Sequence, residues 1–290
     1  MFHIIYNPTS GQKKTVKTAD FIKSELEKAG FEAVFHPTLE KGHCTDIVRE
    51  LTGGEEEVKI VVIGGDGTFS EALNGVVDFD KVTFGLIPCG TGNDFARKLG
   101  VSSNPKKAIQ ALLRGKTDRL DYLDLGDGDR CLNVCGVGMD VDVLVKYANM
   151  KHFAGKVKYY LSLFYVLTHF KGHTVRYKIG EKEGEQEVFM AAIANGSYIG
   201  GGMAISAESD VRDGALELVV IDNIKKSQIP YRLVKFLSGK MHLQPCTHIY
   251  RGEEAEIEIL DQEAAQIDGE LYKKSKLKGK IVRGKLKMYL

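Results

Sequence analysis

The sequence predicts an α/β domain with a mostly parallel sheet, followed by a mainly-β second half. Three observations lead to this fold class. The 290 residues suffice for two ordinary domains that each bury a core. Strand-like and helix-like segments alternate through the first part, and from about Asp118 short segments with two-residue alternation prevail. We therefore expect a cleft between the two halves.

The first part is typical of βα units, whose parallel sheet is covered on both faces. In the first predicted helix, Val16, Ala19, Ile22 and Leu26 recur at spacings of three and four, and Gly30 follows as a stop signal. The predicted segments alternate as strand and helix, beginning with a strand, over residues 2–6, 14–29, 31–36, 43–51, 58–63, 68–76 and 83–88.

The second part alternates with a period of two at 175–179 and 255–259, as expected for half-buried strands. Helical stretches near 141–149, 156–170 and 227–237 interrupt it, and pattern alone does not place them. The last residues, 286–290, alternate apolar and polar side chains and predict a closing strand with one buried face.

Composition excludes several classes of protein. A net charge of +1 with 27% charged residues indicates a globular protein and argues against a nucleic-acid binder. Five cysteines without a Cys-x-x-Cys pair favour a reducing cytosol over a disulfide framework or a zinc site. The longest apolar stretch, 159–170, is shorter than the roughly 20 residues that a spanning helix needs. We therefore expect a cytoplasmic protein that does not cross a membrane.

Three loops in the first part follow apolar strands and are rich in glycine, hydroxyl and carboxylate groups. Backbone N–H groups in such loops can cradle a phosphate, because glycine lets the backbone approach an anion closely. Nucleotide sites in parallel sheets lie at the carboxyl ends of the strands, so the loops should converge. They are Asn7-Pro8-Thr9-Ser10-Gly11, Gly64-Gly65-Asp66-Gly67-Thr68 and Gly90-Thr91-Gly92-Asn93-Asp94.

The common phosphate-loop motif is absent, since Gln110 stands where the first glycine before Gly115-Lys116-Thr117 would be needed. Thr68 and Asn93 are expected as helix N-caps. Asp66 and Asp94 are the candidates to face Mg²⁺ beside the phosphates. One such loop alone could equally be a tight turn between strand and helix, but three in register favour a phosphate site.

The ordered set of motifs resembles the soluble diacylglycerol kinase catalytic-domain family, which also includes sphingosine and ceramide kinases and many bacterial lipid kinases. The resemblance covers nearly the whole chain. The first loop matches as it stands, the second matches as part of the block 64–75, and the third as part of the block 88–96. The other matching motifs are Thr38-Leu39-Glu40-Lys41-Gly42-His43, Asn195-Gly196, Asp213-Gly214-Ala215-Leu216 and Asp268-Gly269-Glu270.

The resemblance implies an α/β ATP-binding domain of residues 1–125 that regains 284–290, and a β-sandwich lipid-substrate domain of residues 126–283, with the active site between them. It implies a structural Mg²⁺ held by the Asp213 side chain and the backbone oxygens of Asp210 and Ala215. It also places the catalytic carboxylate in the Asp268-Gly269-Glu270 turn. The residues implied to bind ATP are Asn7, Pro8, Thr9, Ser10, Gly11, Thr38, Gly64, Gly65, Asp66, Gly67, Thr68, Phe69, Ser70 and Thr91.

Chemistry agrees with a carboxylate in that turn, because a lipid hydroxyl benefits from a positioned base as it attacks the γ-phosphate. Asp268 and Glu270 both remain candidates: in an extended stretch they would point the same way, and a turn at Gly269 would separate them. Without the resemblance, Asp268-Gly269 would be interpreted as an ordinary turn.

The basic segment 273–287, with seven lysines, Arg283 and no acid, is interpreted either as a solvated strand face or as a weak, salt-sensitive contact with anionic lipid. The stretch 156–167 is expected to pack on the second domain, with guidance of acyl chains as the alternative. The expected partner is thus a lipid at the inner face of a membrane, contacted peripherally. The oligomeric state, including a homodimer, stays open.

Two other functions compete with a lipid kinase. The first is a kinase of NAD or another soluble molecule, because Gly-Gly-Asp-Gly-Thr also occurs in NAD kinases; the Pro88–Ala96 motif favours lipid. The second is a nucleotide- or lipid-binding regulator without turnover. The presence of all five expected carboxylates disfavours it: Asp66, Asp94, Asp213, Asp268 and Glu270.

Overall fold

A computed structural model describes residues 1–9, 14–151 and 155–290. In the first part the elements are β1 (Phe2–Tyr6), α1 (Lys14–Lys28), β2 (Ala33–Pro37), α2 (His43–Thr52), β3 (Val58–Gly64), α3 (Asp66–Gly75), β4 (Val82–Pro88), α4 (Asp94–Leu99), α5 (Pro105–Leu113) and β5 (Thr117–Asp124). The predicted alternation of strand and helix is confirmed, and the bounds differ by a few residues.

The second part begins with β6 (Arg130–Cys131), β7 (Val134–Gly138), α6 (Met139–Asn149), α7 (Gly155–His169), β8 (His173–Ile179), β9 (Lys182–Ala194), β10 (Tyr198–Ile199) and β11 (Met203–Ala204). It continues with β12 (Leu216–Asp222), α8 (Ile229–Leu237), β13 (Thr247–Gly252), β14 (Glu254–Ile259), β15 (Ala265–Ile267), β16 (Glu270–Tyr272) and β17 (Lys276–Tyr289).

The first part contains a parallel sheet in the order β2-β1-β3-β4. Strands β1, β3 and β4 are apolar and largely buried because helices cover both faces, whereas the edge strand β2 is partly exposed. On one face Ile22 of α1 and Ile109 of α5 belong to the same buried cluster as Ile4 of β1. On the other face Val48 of α2 and Phe69 of α3 join a second cluster. Because helices cover both faces, the sheet is accessible at the end where β1, β3 and β4 finish.

The second part is an antiparallel assembly in the order β16-β15-β7-β9-β8-β14-β17, with β12 and β13 joined through β9. Alternate residues of β9 enter two different cores, as period-two side chains must. Ile193 packs among strands in one cluster, and its neighbours Ala192 and Ala194 pack beneath α6, α7 and α8 in the other. The second part is thus a β-sandwich-like unit with one face covered by helices.

Two long strands connect the halves. β17 pairs with β14 near its start, with β5 along most of its length, and in parallel with β4 where Met288 lies opposite Phe84. The predicted closing strand is therefore the end of a 14-residue strand. Because this ladder runs through both halves, the division at 125/126 and 283/284 stays a prediction. Within the described parts of the chain, no helix combines the length and the hydropathy needed to cross a membrane.

Candidate active site

The glycine-rich loops after β3 and β4 meet at the accessible end of the parallel sheet. The Cys89 amide donates to the Gly64 carbonyl at 2.8 Å, which extends the pairing of the two strands by one bond. Beyond it, a Cβ on Gly65 would lie 2.9 Å from the Gly90 Cα. Only glycine allows this approach of two backbones. A Cβ on Gly67 would meet just one atom within 4 Å, Oε1 of Glu270 at 3.6 Å, so the cleft is open at this point.

The side chain of Asp66 holds these two loops together. Its Oδ2 accepts from the Asp94 N–H at 3.0 Å and its Oδ1 from the Phe95 N–H at 3.1 Å. Asp66 therefore satisfies donors at the start of α4, where a carboxylate also suits the helix dipole. Asp66 is therefore both a candidate site residue and a structural residue that holds the two loops in place.

The predicted N-cap Thr68 is wrong, and the predicted N-cap Asn93 has the right position but makes no capping hydrogen bond. Helix α3 begins at Asp66 after an extended Gly65, which puts Thr68 inside the first turn. Asn93 occupies the N-cap position of α4 but adopts φ +52°. Its side chain instead accepts from the Gly90 N–H and donates to the Gly90 carbonyl, both at 2.9 Å. The capping role is taken by Asp66, a long-range partner that local pattern does not reveal.

Asp94 is a buried carboxylate with an incomplete set of partners. Its Oδ2 accepts from the Gly201 N–H at 2.8 Å, whereas its buried Oδ1 has no hydrogen-bond partner among the described residues. Burial raises the pKa of Asp94, with hydrogen bonds from the Gly201 and Gly202 backbone opposing it. A Cβ on Gly92 would lie 3.2 Å from Asp66 Oδ2 and 3.5 Å from Asp94 Oδ2, so the two carboxylates converge there.

This pair fits a hard cation such as Mg²⁺, since carboxylate oxygens are its preferred protein ligands and one buried oxygen lacks a donor. Asp66 and Asp94 would hold it, directly or through water. Among the described residues, no group of three or more His, Cys, Asp or Glu side chains is arranged to hold a metal ion.

A cavity of about 710 Å³ lies between the two halves of the molecule, and its walls differ in chemistry. The polar wall comes from the loops after β1, β2, β3 and β4 and from the turn between β15 and β16. The opposite wall is apolar and aromatic, and is formed by Met139, Val143, Leu144, Tyr147, Tyr159, Tyr160, Ile199, Met203 and Phe236. Two of these residues, Tyr159 and Tyr160, belong to the stretch 156–167.

The Asp268-Gly269 pair forms the two-residue turn of the β15–β16 hairpin, in which Ile267 lies opposite Glu270. Both turn residues have positive φ, +49° and +83°, as a type I′ hairpin turn requires, and Asp and Gly are the residues that tolerate it. The interpretation as a turn is confirmed. The turn separates the carboxylates of Asp268 and Glu270, as expected for a turn at Gly269.

The Asp268 carboxylate points inward and is surrounded by donors. It accepts from Ser70 Oγ at 2.9 Å and from the backbone N–H groups of Leu132 and Asn133, each at 2.8 Å. The Cys131 thiol and the Val134 N–H approach at 3.3 Å. Burial raises the pKa of Asp268, and these hydrogen bonds oppose the effect. Asp268 thus fastens the hairpin to α3 and β7.

The Glu270 carboxylate lies on the open side of the turn. Its Oε2 accepts from Lys41 Nζ at 2.6 Å, and this hydrogen bond raises the pKa of Lys41. Glu270 and Lys41 both line the cavity, opposite Gly67. The sequence identified Glu270 through the family motif. Lys41 is part of the matching Thr38–His43 block, but its pairing across 229 positions could not be predicted.

Asp140, at the start of α6, is a cavity residue that the sequence analysis missed. Both of its oxygens are shielded from solvent and lack a hydrogen-bond partner in the described part of the chain. Burial raises the pKa of Asp140 to about 6, with the Val141 backbone and the Gln266 side chain opposing it. The Gln266 side chain itself accepts from the Gly269 N–H in the hairpin turn at 2.9 Å. Its only sequence signal was an acid in the first turn of a helix.

Some of the predicted ATP-binding residues line the cavity, and others do not. Phe69 is buried in the core against Phe84 and Phe95, and Ser70 points to Asp268. Pro8, Thr9 and Gly64 flank the cavity without lining it, while Ser10 and Gly11 lie outside the described residues. The predicted residues that line the cavity are Asn7, Thr38, Gly65, Asp66, Gly67, Thr68, Thr91 and Asp94.

The proposed metal turn lies outside the cavity. Asp213 Oδ2 pairs with Arg251 at 2.6 Å and its Oδ1 accepts from the Ala215 N–H at 3.1 Å. The Asp210 carbonyl accepts from the Asp213 N–H at 3.2 Å. A metal ion here would have to displace Arg251, so these residues fit Mg²⁺ less well than Asp66 and Asp94 do. The role of Asp210, Asp213 and Ala215 stays a prediction.

A parallel sheet with phosphate-type loops, joined to a β-sandwich across a cleft with paired carboxylates, defines the class of two-domain kinases related to NAD kinase. Two family models cover the chain: "Diacylglycerol kinase catalytic domain" matches residues 1–125, and "YegS C-terminal NAD kinase beta sandwich-like domain" matches residues 133–290. The chain belongs to this diacylglycerol kinase-like family, as the sequence motifs predicted, and the family implies ATP as a substrate.

Individual relatives agree. A diacylglycerol kinase of Bacillus subtilis is 28% identical over 273 residues, which are 92% of this chain and 88% of the relative. A diacylglycerol kinase of Staphylococcus saprophyticus is 25% identical, with the same coverage. The crystal structure of a Bacillus anthracis diacylglycerol kinase superposes with a TM-score of 0.78 at 25% identity, covering 99% of this chain and 96% of that one. An ATP complex of Archaeoglobus fulgidus NAD kinase shares the fold, with a TM-score of 0.52 at 13% identity over 100% of this chain and 94% of that one.

Proposed function

We propose that the protein transfers the γ-phosphate of ATP to a hydroxyl group of a lipid, diacylglycerol or a close relative of it. The observation that carries this proposal is the cavity of about 710 Å³ with two unlike walls. One wall offers backbone N–H groups and carboxylates to a nucleotide, and the other offers apolar and aromatic side chains to acyl chains. The acceptor hydroxyl would lie where the walls meet, beside the Asp268–Glu270 turn.

We assign the proton acceptor to Glu270 and a positioning role to Asp268. A general base must have an oxygen within reach of the substrate proton. The oxygens of Asp268 are already occupied by Ser70, Leu132 and Asn133, and its loss would leave their donors unpaired. Glu270 has one oxygen on Lys41 and presents the other towards Gly67, on the nucleotide side of the cleft.

Mg²⁺ would accompany the nucleotide and neutralise negative charge on the transferred phosphate. Asp66 and Asp94 are the residues that would hold it. Lys41 is placed to contact a phosphate of the bound nucleotide, because its ammonium lines the same cavity. Phosphoryl transfer depends mainly on positioning and on electrostatic stabilisation, and these side chains supply both.

The apolar wall separates this proposal from the soluble-substrate alternative. NAD carries a polar ribose and pyrophosphate, which gain nothing from a wall of Met, Val, Leu and Phe side chains. An acyl chain gains roughly 0.8 kcal/mol per buried methylene group. A regulator without turnover would not need the carboxylates of Asp66, Asp94 and Glu270 beside the nucleotide loops. We further propose that the protein acts at the cytoplasmic face of a membrane, as a peripheral partner of its lipid substrate.

Transfer of labelled γ-phosphate to a panel of acceptors tests the proposal. Diacylglycerol, monoacylglycerol, phosphatidylglycerol and a sphingoid base are offered in mixed micelles, and NAD is offered in buffer. We expect label in the lipid extract, and its loss when Mg²⁺ is chelated. Label in NAD with none in any lipid would reject a lipid acceptor. Absence of transfer to every acceptor, alongside ATP binding, would favour the regulator.

A further inference from the structure

Two helices beside the apolar end of the cavity leave large apolar side chains in solvent. On α7 these side chains recur at spacings of three and four, in the order Val157, Tyr160, Leu161, Phe164 and Tyr165. On α8 they are Tyr231, Val234 and Leu237. Phe164 and Val234 are 66% and 63% exposed. A clustered apolar surface of this kind marks a contact with a partner or a membrane.

The two exposed faces belong to one region of the molecule. On their inner sides, Leu163 and Leu167 of α7 and Phe236 of α8 pack into the same buried cluster. Both helices also reach the cavity, through Tyr159 and Tyr160 on α7 and Phe236 on α8. Tyr160 is 56% exposed and lines the cavity, so it lies at the opening. The exposed face is therefore continuous with the apolar wall.

The charges of these helices suit an anionic surface. Neither α7 nor α8 contains an acidic residue. Lys146 Nζ of the neighbouring α6 lies 3.5 Å from the Tyr165 ring centroid, and Lys235 Nζ of α8 lies 5.1 Å from the Tyr231 ring centroid. Aromatic rings with basic groups beside them are typical of side chains at a membrane–water interface.

The basic segment 273–287 is a weaker candidate for the same contact. Lys276 pairs with Glu256 at 2.6 Å and Lys278 with Glu254 at 2.8 Å, across β14 and β17. Similar pairs join Lys273 to Glu263, Lys274 to Asp129, Arg283 to Glu253 and Lys285 to Asp80. Because carboxylates neutralise most of its charges, this segment favours the interpretation as a solvated strand face.

We infer that the exposed face of α7 and α8 docks the protein on a bilayer containing anionic lipid, so that the cavity opens onto the membrane and acyl chains enter past Tyr160. The inference rests on the proposed lipid acceptor. A bilayer is the occupant that explains why the apolar face adjoins the acyl-chain wall and lacks acids. Docking combines burial of apolar side chains in the bilayer with attraction between basic groups and anionic lipid, and salt screens only this attraction.

Flotation with phosphatidylglycerol–phosphatidylcholine vesicles tests the inference without ATP. We expect the unaltered chain to float, with 0.5 M NaCl weakening binding only in part. The double variant Phe164→Ser/Val234→Ser should bind at least tenfold more weakly, and neither residue lines the cavity. Val77→Ser is the matched control, because Val77 is 59% exposed on the first half of the molecule. Thermal unfolding checks that both variants are folded.

Activity on dioctanoylglycerol, presented as a dispersed short-chain lipid, separates the two proposals. The double variant should retain turnover within about twofold while losing activity on vesicle-borne lipid. Vesicle binding equal to that of the unaltered chain would overturn the docking inference and leave the kinase assignment standing. A dimer that the double variant converts to a monomer, measured by light scattering without lipid, would also overturn it and assign the face to a second copy. No phosphorylation of dioctanoylglycerol by the unaltered chain would count against the proposed function itself.

Discussion

Replacing Asp140 with asparagine should stabilise the protein at neutral pH and reduce its turnover. The carboxylate is buried without a hydrogen-bond partner among the described residues, and burial raises its pKa from 3.8 to about 6. Below pH 3.8 the group is neutral in both the folded and the unfolded chain. Between that value and about pH 6 the folded protein keeps a proton that the unfolded chain loses, so the free energy of unfolding falls as pH rises.

The size of the change in the free energy of unfolding follows from the difference between the pKa of Asp140 in the folded and in the unfolded chain. About two pKa units correspond to ~3 kcal/mol, which is the cost of holding the ionised Asp140 in the folded protein above about pH 6. Asparagine has nearly the same shape and carries no charge. The Asp140→Asn variant should therefore match the unaltered protein at pH 4 and exceed its free energy of unfolding by up to ~3 kcal/mol at pH 7.5.

Urea unfolding of both proteins at pH 4 and pH 7.5 measures this difference. Asp20→Asn, an exposed carboxylate on α1, is the control and should show no comparable change. A protein that keeps so unfavourable a group in its cavity is expected to use it. We expect turnover on diacylglycerol to fall in Asp140→Asn. A variant that is less stable at pH 7.5, or a difference that does not vary with pH, would refute the reasoning.

We make three further predictions, two on the site and one on an ion-pair cluster at β8. Glu270→Gln should lower kcat by ~10²–10⁴ with little change in the KM for ATP, because a base acts in the transition state; steady-state kinetics with unaltered kcat would exclude Glu270 as the base. The Asp66→Asn variant should fold and lose most turnover, and its free energy of unfolding should fall by ~0.5–2 kcal/mol because the bonds at the start of α4 are weakened. Circular dichroism during unfolding and activity measure the two effects, and full activity would argue against a role beside Mg²⁺. Burial lowers the pKa of His173, but pairs with Asp142 and Asp261 outweigh it and raise the pKa above 6.5. The stability contributed by these pairs is present below pH 6.5 and should be lost as pH rises through the raised pKa, a trend that His173→Gln should abolish in thermal unfolding.

The sequence predicted the nucleotide side of the fold well, because its signals are local. Each phosphate-type loop follows an apolar strand, and parallel strands necessarily bring such loops to one edge. The apolar side chains of the first helix likewise indicated which face packs, and Ile22 is fully buried. The turn at Asp268-Gly269 was also evident from its residue types, since positive φ selects them.

The sequence predicted only a part of the acceptor side, the alternative role of the stretch 156–167, because distant segments build the rest. Its apolar wall combines α6, α7, the β10–β11 region and α8, and no sequence period connects them. Asp140 carries no motif that distinguishes it from an ordinary first-turn acid. Asn93 occupies the N-cap position that its residue type indicated, but its side chain bonds to Gly90, three residues earlier, and does not cap the helix. Asp66 supplies the capping bonds from another loop.

A competition between two acceptors in one reaction tests the central claim most directly. The protein is given labelled ATP with Mg²⁺ and equal concentrations of dispersed dioctanoylglycerol and NAD, and the label in each product is counted during initial turnover. The account predicts label almost entirely in the phosphorylated lipid, since only the lipid can use the apolar wall. Preferential labelling of NAD would contradict it and would make the cavity a site for a soluble acceptor.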